Sequence, residues 1–352
     1  MQIKHKKRIL VAPLNWGLGH ATRCIPIIKA LLIHNFEPII ASDGMALELL
    51  KKEFPNLKAF ELPSYNITYP KNAKNFKIKL LKDSPHFFKT IKREKKVTKT
   101  LVETLTISGI ISDNRFGVRH KTVNSVFITH QLRVLSGSTT WLSSKLHQNI
   151  ISKFNACWVP DYAGVKNLSG HLSHDKDFLS SVKYLGPLSR FKKLNLNLKY
   201  NLLVLLSGPE PQRTFLEEKL LKDLKNYQGK VLFIKGKVEA QQQKDSIENI
   251  IIYNFMTSKE LEIAINESDL VLCRPGYTTI MDLEQLEKNA FFIPTPGQFE
   301  QDYLAKKLTL EEIAPYCNQD KFNVNMLSKI ENYSGFKSQQ HSLNYAELFR
   351  LF

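Results

Sequence analysis

The sequence predicts an α/β protein made of two consecutive Rossmann-like domains, and three observations favour this fold class. Short apolar runs of strand length alternate with segments of helical periodicity along most of the chain. Nearly every apolar run ends in a polar or glycine-containing loop, as is typical of nucleotide-binding α/β sheets. The alternation is interrupted once, at residues 186–199, where Pro187 and a low apolar content predict a linker.

Length and composition agree with two domains. The chain has 352 residues, of which 43% are hydrophobic, enough for two cores of ordinary size. The formal net charge of +17 favours nucleic acid, anionic lipid or polyphosphate as a partner. The four cysteines are far apart and form no CxxC pair, which indicates a reducing compartment with neither a disulfide framework nor a zinc site.

The N-terminus does not read as a signal peptide. A basic start is followed by an apolar run at residues 9–14, which Asn15, Trp16 and Gly17 interrupt. No stretch reaches the roughly 18 apolar residues that a membrane span needs. We therefore expect a cytoplasmic protein that can still act as a peripheral protein on the inner face of the membrane.

The first domain opens with a strand, a glycine-bearing loop and a helix. The loop from Asn15 to His20 reads NWGLGH, and Pro26 falls in the first turn of the helix, where no hydrogen-bond donor is lost. We expect strands, in chain order, at residues 8–13, 36–42, 57–62, 106–112, 125–129, 156–159 and 182–185, with helices at 22–34 and 45–54. Polar groups follow two of these strands: Asp113 after the fourth, and His130 with Gln131 after the fifth.

A strongly basic segment runs from Lys71 to Lys99, with Leu80, Leu81, Phe87 and Phe88 interleaved. One interpretation is an amphipathic surface that binds anionic lipid. The other is a solvated helix face whose aromatic residues point into the core. The sequence favours neither.

The second domain restarts after the linker. Strands are predicted at 201–206, 230–234, 249–254, 269–273 and 290–293, with helices between most of them. After the strand at 269–273, Gly276 marks a turn into a helix whose free backbone N–H groups would face an anion. Thr278 and Thr279 add hydroxyl donors, and Asp282 lies one turn further on, where a carboxylate could accept from a ribose hydroxyl.

These motifs resemble those of the GT-B glycosyltransferases, in particular family 28, which includes the UDP-N-acetylglucosamine transferase of peptidoglycan lipid-intermediate synthesis. The family's Arg-x-Gly-x-x-Thr-x-x-Glu run corresponds to Arg274, Gly276, Thr279 and Asp282, where Asp replaces Glu and shortens the reach. A Gln-Gln pair of the family appears as Gln301-Asp302. The Gly-Gly-His loop near the family's N-terminus corresponds to Gly17, Gly19 and His20.

The resemblance covers almost the whole chain and implies its organisation. It implies an acceptor-side domain at 1–187, a linker at 188–199 and a nucleotide-sugar domain at 200–335, the two domains facing each other across a cleft. The segment 336–352 is expected to pack back on the first domain as a helix. The implied activity is metal-independent, inverting transfer of a hexose or N-acetylhexosamine from a UDP-sugar to an acceptor hydroxyl, with a lipid-linked acceptor as one candidate.

Further donor-binding positions follow from the same resemblance. Arg190 matches a linker arginine with an offset of one residue, and Ser207 and Gly208 match a Gly-Ser-x-Gly loop. Prolines follow in that loop and remove backbone donors, for which Arg213 is expected to compensate. Phe255 and Met256 occupy the loop whose backbone meets the uracil in the family, a contact that hardly distinguishes UDP from other nucleotides.

Transfer also needs a general base for the acceptor hydroxyl. His20 is the first candidate, Asp113 the second and His130, followed by Gln131 where the family has Glu, the third. No metal or other cofactor is expected, and the Asp-x-Asp letters at Asp175-Lys176-Asp177 follow no strand and are read as chance.

Two other functions compete with glycosyl transfer. A nucleotide-sugar 2-epimerase of the same fold would need no acceptor, and the basic segment argues against it. A catalytically inactive protein that binds membranes or nucleic acid would explain the charge but not the paired glycine-loop motifs. Nucleic acid is therefore not the favoured partner.

Overall fold

A computed structural model describes residues 6–66, 76–174, 182–237, 239–339 and 341–352, with the side chains of 76–84 and of residue 138 excepted. The described residues form two compact units. The N-terminal unit takes in those of 1–67 and 77–188 together with 341–352, and the C-terminal unit takes in residue 76 and those of 189–340.

The N-terminal unit has a seven-stranded parallel sheet in the order β3-β2-β1-β4-β5-β6-β7. Its strands are β1 Arg8–Pro13, β2 Glu37–Ser42, β3 Ala59–Glu61, β4 Ile107–Asp113, β5 Asn124–Ile128, β6 Ala156–Val159 and β7 Val182–Tyr184. The helices are α1 Gly19–Ile33, α2 Gly44–Glu53, α3 Phe76–Leu105 and α4 Thr140–Ile151. The central strands are buried almost throughout, which explains why they read as continuous apolar runs.

The order in which the chain adds strands to this sheet reverses between β1 and β4. It adds β2 and β3 on one side of β1 and then continues with β4 to β7 on the other. Pro13 pairs with Asp113 in the register of these two strands. Ligands of open α/β sheets bind at the carboxyl ends of the strands at such a reversal, and the loop before His20 and the end of β4 both lie there.

A buried arginine fixes the loops at this edge. Arg115 is fully buried, and its Nη1 donates to Glu94 Oε1 of α3 at 2.8 Å while its Nε donates to the Pro13 carbonyl oxygen at 2.9 Å. It also pairs with Asp43, just before α2. One guanidinium therefore holds the end of β1, α2 and α3 in place.

The last residues pack on the N-terminal unit. They form a short helix, α9 Tyr345–Leu348, and a single 3-10 turn, Phe349–Leu351. Phe349 is buried, with its ring 5.6 Å from that of Phe36, and Asn124 donates to the Leu351 carbonyl oxygen at 2.6 Å. The units divide at 340/341, where the sequence predicted 335/336, because Phe336 is buried against Phe292 of the C-terminal unit.

The C-terminal unit has a six-stranded sheet in the order β10-β11-β9-β8-β12-β13. Its strands are β8 Tyr200–Leu205, β9 Val231–Ile234, β10 Lys244–Ile247, β11 Ile250–Tyr253, β12 Ser268–Cys273 and β13 Asn289–Phe292, and only β10 is antiparallel. The helices are α5 Gln212–Asp223, α6 Ser258–Asn266, α7 Tyr277–Gln285 and α8 Phe299–Leu310, followed by a 3-10 segment, Val324–Asn332. Here the reversal falls between β8 and β12, so the loops after these two strands define the expected ligand edge.

The basic segment forms much of α3, and its described part, from residue 85 onward, presents its cations to solvent. Residues 71–75 lie outside the described residues. The exposed cations of α3 are Lys89, Lys92, Arg93, Lys95, Lys96 and Lys99. Phe87 instead packs inward, with its ring 5.0 Å from Tyr65 and 5.4 Å from Phe116, whereas Phe88 is 58% exposed. No helix in the described part of the chain has the length and apolarity to span a membrane.

Candidate active site

His20 and Asp113 meet at the carboxyl edge of the N-terminal sheet. His20 lies in the first turn of α1, and its Nδ1 is 2.8 Å from Asp113 Oδ1 at the end of β4. The Asp113 side chain is fully buried, while 13% of the His20 side chain is exposed. The two residues that the sequence offered as alternative bases therefore form one pair.

Arg23 completes this pair and was not predicted. It is buried one turn after His20 on α1, and its Nε donates to Asp113 Oδ2 at 2.5 Å while its Nη2 pairs with Oδ1. The sequence signal was an arginine on the apolar face of a helix, where burial demands a charged partner. Because Arg23 neutralises the Asp113 charge, the cluster is stable in the core.

The pKa values of the pair follow from burial and charge. Burial would raise the pKa of Asp113, but Arg23 and His20 together hold it at about 2, so the carboxylate is ionised at neutral pH. Burial lowers the pKa of His20, an effect that the neighbouring Asp113 opposes only in part. His20 is therefore a neutral imidazole near pH 7.

The tautomer of His20 decides its chemistry. Its Nδ1 lies 2.8 Å from Asp113 Oδ1 and 2.9 Å from Arg23 Nη2. Both contacts cannot be hydrogen bonds at once, because an ionised carboxylate needs a proton on Nδ1 and a guanidinium needs a lone pair there. A proton on Nδ1 would leave Nε2 with the lone pair of a base.

His130 is placed differently. It is buried after β5, and its Nδ1 is 2.9 Å from Arg23 Nη1. Arginine always carries its protons, so Nδ1 of His130 accepts and the ring proton of the neutral form lies on Nε2. His130 is thus better suited to donate a hydrogen bond than to take a proton. Gln131 follows it and is half-buried.

The glycine loop before α1 is open. Gly17 has φ +83°, a conformation that favours glycine, and a Cβ built on it would meet no heavy atom within 4 Å. Gly19 begins α1 itself. The loop therefore leaves room for a ligand beside His20.

Two glycines border open space at the carboxyl edge of the C-terminal sheet. A Cβ on Gly208, after β8, would have Thr295 Oγ1 as its nearest neighbour at 3.8 Å. A Cβ on Gly276, which caps the N-terminus of α7, would have Thr279 Oγ1 at 3.8 Å. Thr295 was not predicted; its hydroxyl is buried and has no hydrogen-bond partner among the described residues. This edge combines space, the N-terminus of a helix and a hydroxyl that has no hydrogen-bond partner among the described residues.

Arg274 is buried at this edge, and its Nε has no hydrogen-bond partner among the described residues. It is 1% exposed, and its Nη atoms donate to the carbonyl oxygens of Ile293, Pro294 and Gln212 and to Gln319 Oε1, at 2.7–3.1 Å. Burial lowers the pKa of Arg274 to about 9. The guanidinium therefore fixes the loop after β13, and its direct contact with a pyrophosphate stays a prediction.

Arg213 is likewise engaged within the protein. Its Nε donates to Glu210 Oε1 at 2.7 Å and its Nη1 to Glu217 Oε2 at 2.6 Å. Its side chain is 3% exposed, and its compensation for the donors that the prolines remove stays a prediction. Ser207, at the end of β8, is exposed.

Arg190 and Asp282 lie near each other in the C-terminal unit. Arg190 Nη1 donates to Ser258 Oγ at 2.8 Å, and Asp282 Oδ1 accepts from Ser189 Oγ at 2.6 Å. Burial raises the pKa of Asp282 to about 6, against the opposing charge of Arg190. Thr278 and Thr279 are half-buried and lie in the first turn of α7, the helix that also contains Asp282.

The remaining predicted donor residues shape loops at this edge. Gln301 Oε1 accepts from the Thr295 amide at 2.7 Å and so holds the loop after β13. Asp302 is half-buried beside it. Phe255 and Met256 follow β11, and the Phe255 carbonyl oxygen accepts from Gln242 at 3.0 Å.

No group of three or more His, Cys, Asp or Glu side chains is placed to hold a metal ion in the part of the chain that the structure describes. Residues 175–177, with their Asp-x-Asp letters, lie outside it.

Comparison with known protein families finds a match for one segment in the second half of the chain. Residues 211–342 match the family described as "Glycosyltransferase family 28 C-terminal domain". No curated protein matches the sequence as a relative.

Solved structures extend the likeness to the whole fold. The spinosyn forosaminyltransferase SpnP is 11% identical, with 93% of this chain and 90% of that protein covered and a TM-score of 0.61. A UDP-glucosyltransferase from Polygonum tinctorium is 10% identical, with 94% and 90% covered and a TM-score of 0.60. MurG of Acinetobacter baumannii is 14% identical, with 93% and 90% covered and a TM-score of 0.53. These similarities confirm the predicted GT-B fold.

Proposed function

We propose that this chain, a glycosyltransferase of the GT-B fold with a family 28 C-terminal domain, transfers a hexose or N-acetylhexosamine from a UDP-sugar to an acceptor hydroxyl with inversion and without a metal. The observation that carries the proposal is the open edge between β8 and β12. There Gly208 and Gly276 leave space before the N-terminus of α7, beside the Thr295 hydroxyl, which has no hydrogen-bond partner within the described part of the chain.

The donor's diphosphate suits this edge. The N-terminus of α7 carries the partial positive charge of the helix dipole, which stabilises phosphate oxygens. Thr278 and Thr279 supply hydroxyls, and Arg274 acts indirectly by holding the carbonyls around Thr295. A UDP-sugar as the donor is favoured by the family 28 match and by one similar structure that is described as a UDP-glucosyltransferase.

The His20–Asp113 pair supplies the base. Nε2 of His20 takes the proton of the acceptor hydroxyl while the acceptor oxygen attacks the anomeric carbon. The bond from that carbon to the diphosphate oxygen breaks, and UDP leaves with the electron pair. A single displacement inverts the anomeric centre. Asp113 stabilises the imidazolium that forms, and it orients the ring through Nδ1.

Nucleotide binding is the test of this function. In a thermal-shift screen of nucleoside diphosphates and nucleotide sugars, UDP and UDP-sugars should raise the melting temperature most. A ligand at 100 times its Kd stabilises the folded state by about 2.7 kcal/mol. Glucose and inorganic diphosphate serve as controls. No shift with any uridine nucleotide would contradict the proposal.

A lipid-linked acceptor and an anionic membrane surface form the second part of the proposal. Lys95 of α3 belongs to a cluster of positive charges. Its pKa is lowered by partial burial and by the nearby charges of Arg119, Lys153 and Lys92. On α4, Trp141, Leu142 and Leu146 are 77%, 52% and 53% exposed. Exposed apolar residues together with a cation cluster favour a surface that touches anionic lipid headgroups.

Charge removal on α3 should weaken vesicle binding. Each cation near an anionic membrane contributes about 1 kcal/mol, so a variant with four α3 cations changed to Gln should bind phosphatidylglycerol vesicles at least about tenfold less tightly. The four are Lys92, Arg93, Lys95 and Lys96. Co-sedimentation at low and high salt measures the effect.

The matched control removes the same charge from the C-terminal unit. Its substitutions to Gln are at the exposed Lys222, Lys225, Lys230 and Lys259. Equal losses in both variants, or equal binding to phosphatidylcholine and phosphatidylglycerol vesicles, would contradict a membrane surface on α3 and favour a soluble acceptor.

A further inference from the structure

The loop that follows β9 begins Lys235-Gly236-Lys237 and lies between the two loops of the proposed donor site. The Lys235 amide donates to the Tyr253 carbonyl oxygen at 2.9 Å, and the Lys237 amide donates to that of Asn254 at 2.9 Å. This loop therefore adjoins Phe255 and Met256, where the resemblance places the base of the nucleotide.

On its other side the same loop contacts the end of β8. Gly236 has φ +69°, and a Cβ on it would collide with the carbonyl oxygen of Leu206. Leu206 directly precedes Ser207 and Gly208. In the strand order β11-β9-β8-β12, a nucleotide with its base at β11 and its diphosphate between β8 and β12 crosses the end of β9.

The two lysines carry positive charge that the protein neutralises only in part. Lys235 Nζ is 3.1 Å from Glu217 Oε1, and Lys237 Nζ is 3.7 Å from Glu217 Oε2. Arg213 also bonds to this carboxylate and is itself paired with Glu210. Three cations thus share two carboxylates, and the lysine side chains are 29% and 39% exposed.

The cations expected to meet the donor phosphates are engaged elsewhere. Arg213 is bound by two carboxylates, and the Nη atoms of Arg274 donate to three carbonyl oxygens and to Gln319, while its Nε has no hydrogen-bond partner among the described residues. Pro209 and Pro211 remove backbone donors from the loop after β8. A departing diphosphate needs positive charge close to it, and Lys235 and Lys237 follow β9 at the carboxyl edge of the sheet, with side chains that are partly exposed.

We propose that Lys235 and Lys237 bind the diphosphate of the nucleotide donor and stabilise it as the leaving group. This inference rests on the proposed function, because it assumes a nucleoside diphosphate at the carboxyl edge of the C-terminal sheet. It assigns to these lysines the role that the sequence gave to Arg213 and Arg274. The signal in the sequence is a Lys-Gly-Lys run directly after a buried strand.

The test compares ligands that differ only in the number of phosphate groups. Calorimetry with UDP, UMP and uridine is carried out on the full chain and on the Lys235→Gln/Lys237→Gln variant. A charge-assisted hydrogen bond is worth roughly tenfold in affinity, so UDP should bind about 10- to 100-fold less tightly to the variant. Uridine should bind both proteins equally.

A matched control removes two exposed lysines from the opposite edge of the same sheet. Lys225 and Lys230 precede β9 rather than follow it, and Lys225→Gln/Lys230→Gln should leave UDP affinity unchanged. The variant Lys235→Arg/Lys237→Arg, which keeps the charge, should retain most of the affinity. Melting temperatures verify that all three variants fold.

The possible results separate the two proposals. If the parent binds UDP and the Gln variant binds it equally well, the lysine assignment is wrong while the donor site stands. Equal losses for UDP and uridine would also overturn it, because they indicate a disturbed loop rather than a lost phosphate contact. If the parent binds no uridine nucleotide, both proposals fail.

Discussion

Replacing His20 by Ala is expected to lower turnover by roughly 10²–10⁴-fold, the usual contribution of a general base. The KM for the nucleotide sugar should stay nearly constant, because His20 itself is not among the proposed donor-binding residues. Steady-state kinetics measure both constants. The matched control is His171→Ala, at an exposed histidine of the N-terminal unit, and it should behave as the parent.

Asp113 and His20 are expected to act as one unit in catalysis, and a double variant tests this. Asp113→Asn keeps the shape but removes the charge that stabilises the imidazolium, and it changes which ring nitrogen carries the proton. We expect a loss of turnover comparable to that of His20→Ala, with the double variant no worse than either single one. Losses that multiply in the double variant would show that the two residues act separately.

The pH profile gives an independent signature of the same base. The active form of His20 is neutral, and burial lowers its pKa from the ordinary value of 6.5. The neutral form therefore persists to lower pH than for an exposed histidine, and the acid limb of kcat/KM should have its midpoint below 6.5. A midpoint above 6.5 would exclude His20 in its observed environment as the base.

The second large effect is expected at Gly276. Its backbone, with φ −72° and ψ 139°, suits any residue, and a Cβ there would meet only Thr279 Oγ1 at 3.8 Å. The Gly276→Val variant should therefore fold, with a loss of about 1 kcal/mol in helix capping. Its side chain would fill the space before the N-terminus of α7. We expect UDP affinity to fall about 100-fold, the equivalent of two charge-assisted hydrogen bonds.

Calorimetry with a matched glycine variant checks this expectation. Gly164→Val, in the N-terminal unit, introduces the same side chain where no heavy atom lies within 4 Å, and it should leave UDP affinity unchanged. Gly276 is a cleaner probe than Arg274, since Arg274→Ala would also strip hydrogen bonds from three buried carbonyl oxygens. An unchanged isotherm for Gly276→Val would place the donor elsewhere.

The strands were predictable because parallel strands are buried on both faces and appear as continuous apolar runs. β12 at Ser268–Cys273 and β6 at Ala156–Val159 differ from the predicted bounds by at most one residue. β10 at Lys244–Ile247 was missed because all four of its residues are exposed and the strand has no apolar face. α4 also went unpredicted, since it buries only Ser144 and Ile151.

The candidate sites were predictable as positions but not as contacts. Turns after buried strands located His20, Asp113 and Gly276 in the sequence. The pairing of His20 with Asp113 depends on the register of β1 with β4, strands about 100 residues apart, and no local pattern encodes it. The orientations of Arg213 and Arg274 depend likewise on acceptors that only the folded chain brings near.

A crystal structure of the chain with bound UDP tests the central claim most directly. The account predicts the diphosphate at the carboxyl ends of β8 and β12, within hydrogen-bond distance of the first N–H groups of α7, with the uracil against the loop that holds Phe255 and Met256. UDP bound at any other place on the chain, or a crystal soaked at saturating UDP that shows none at this edge, would contradict it.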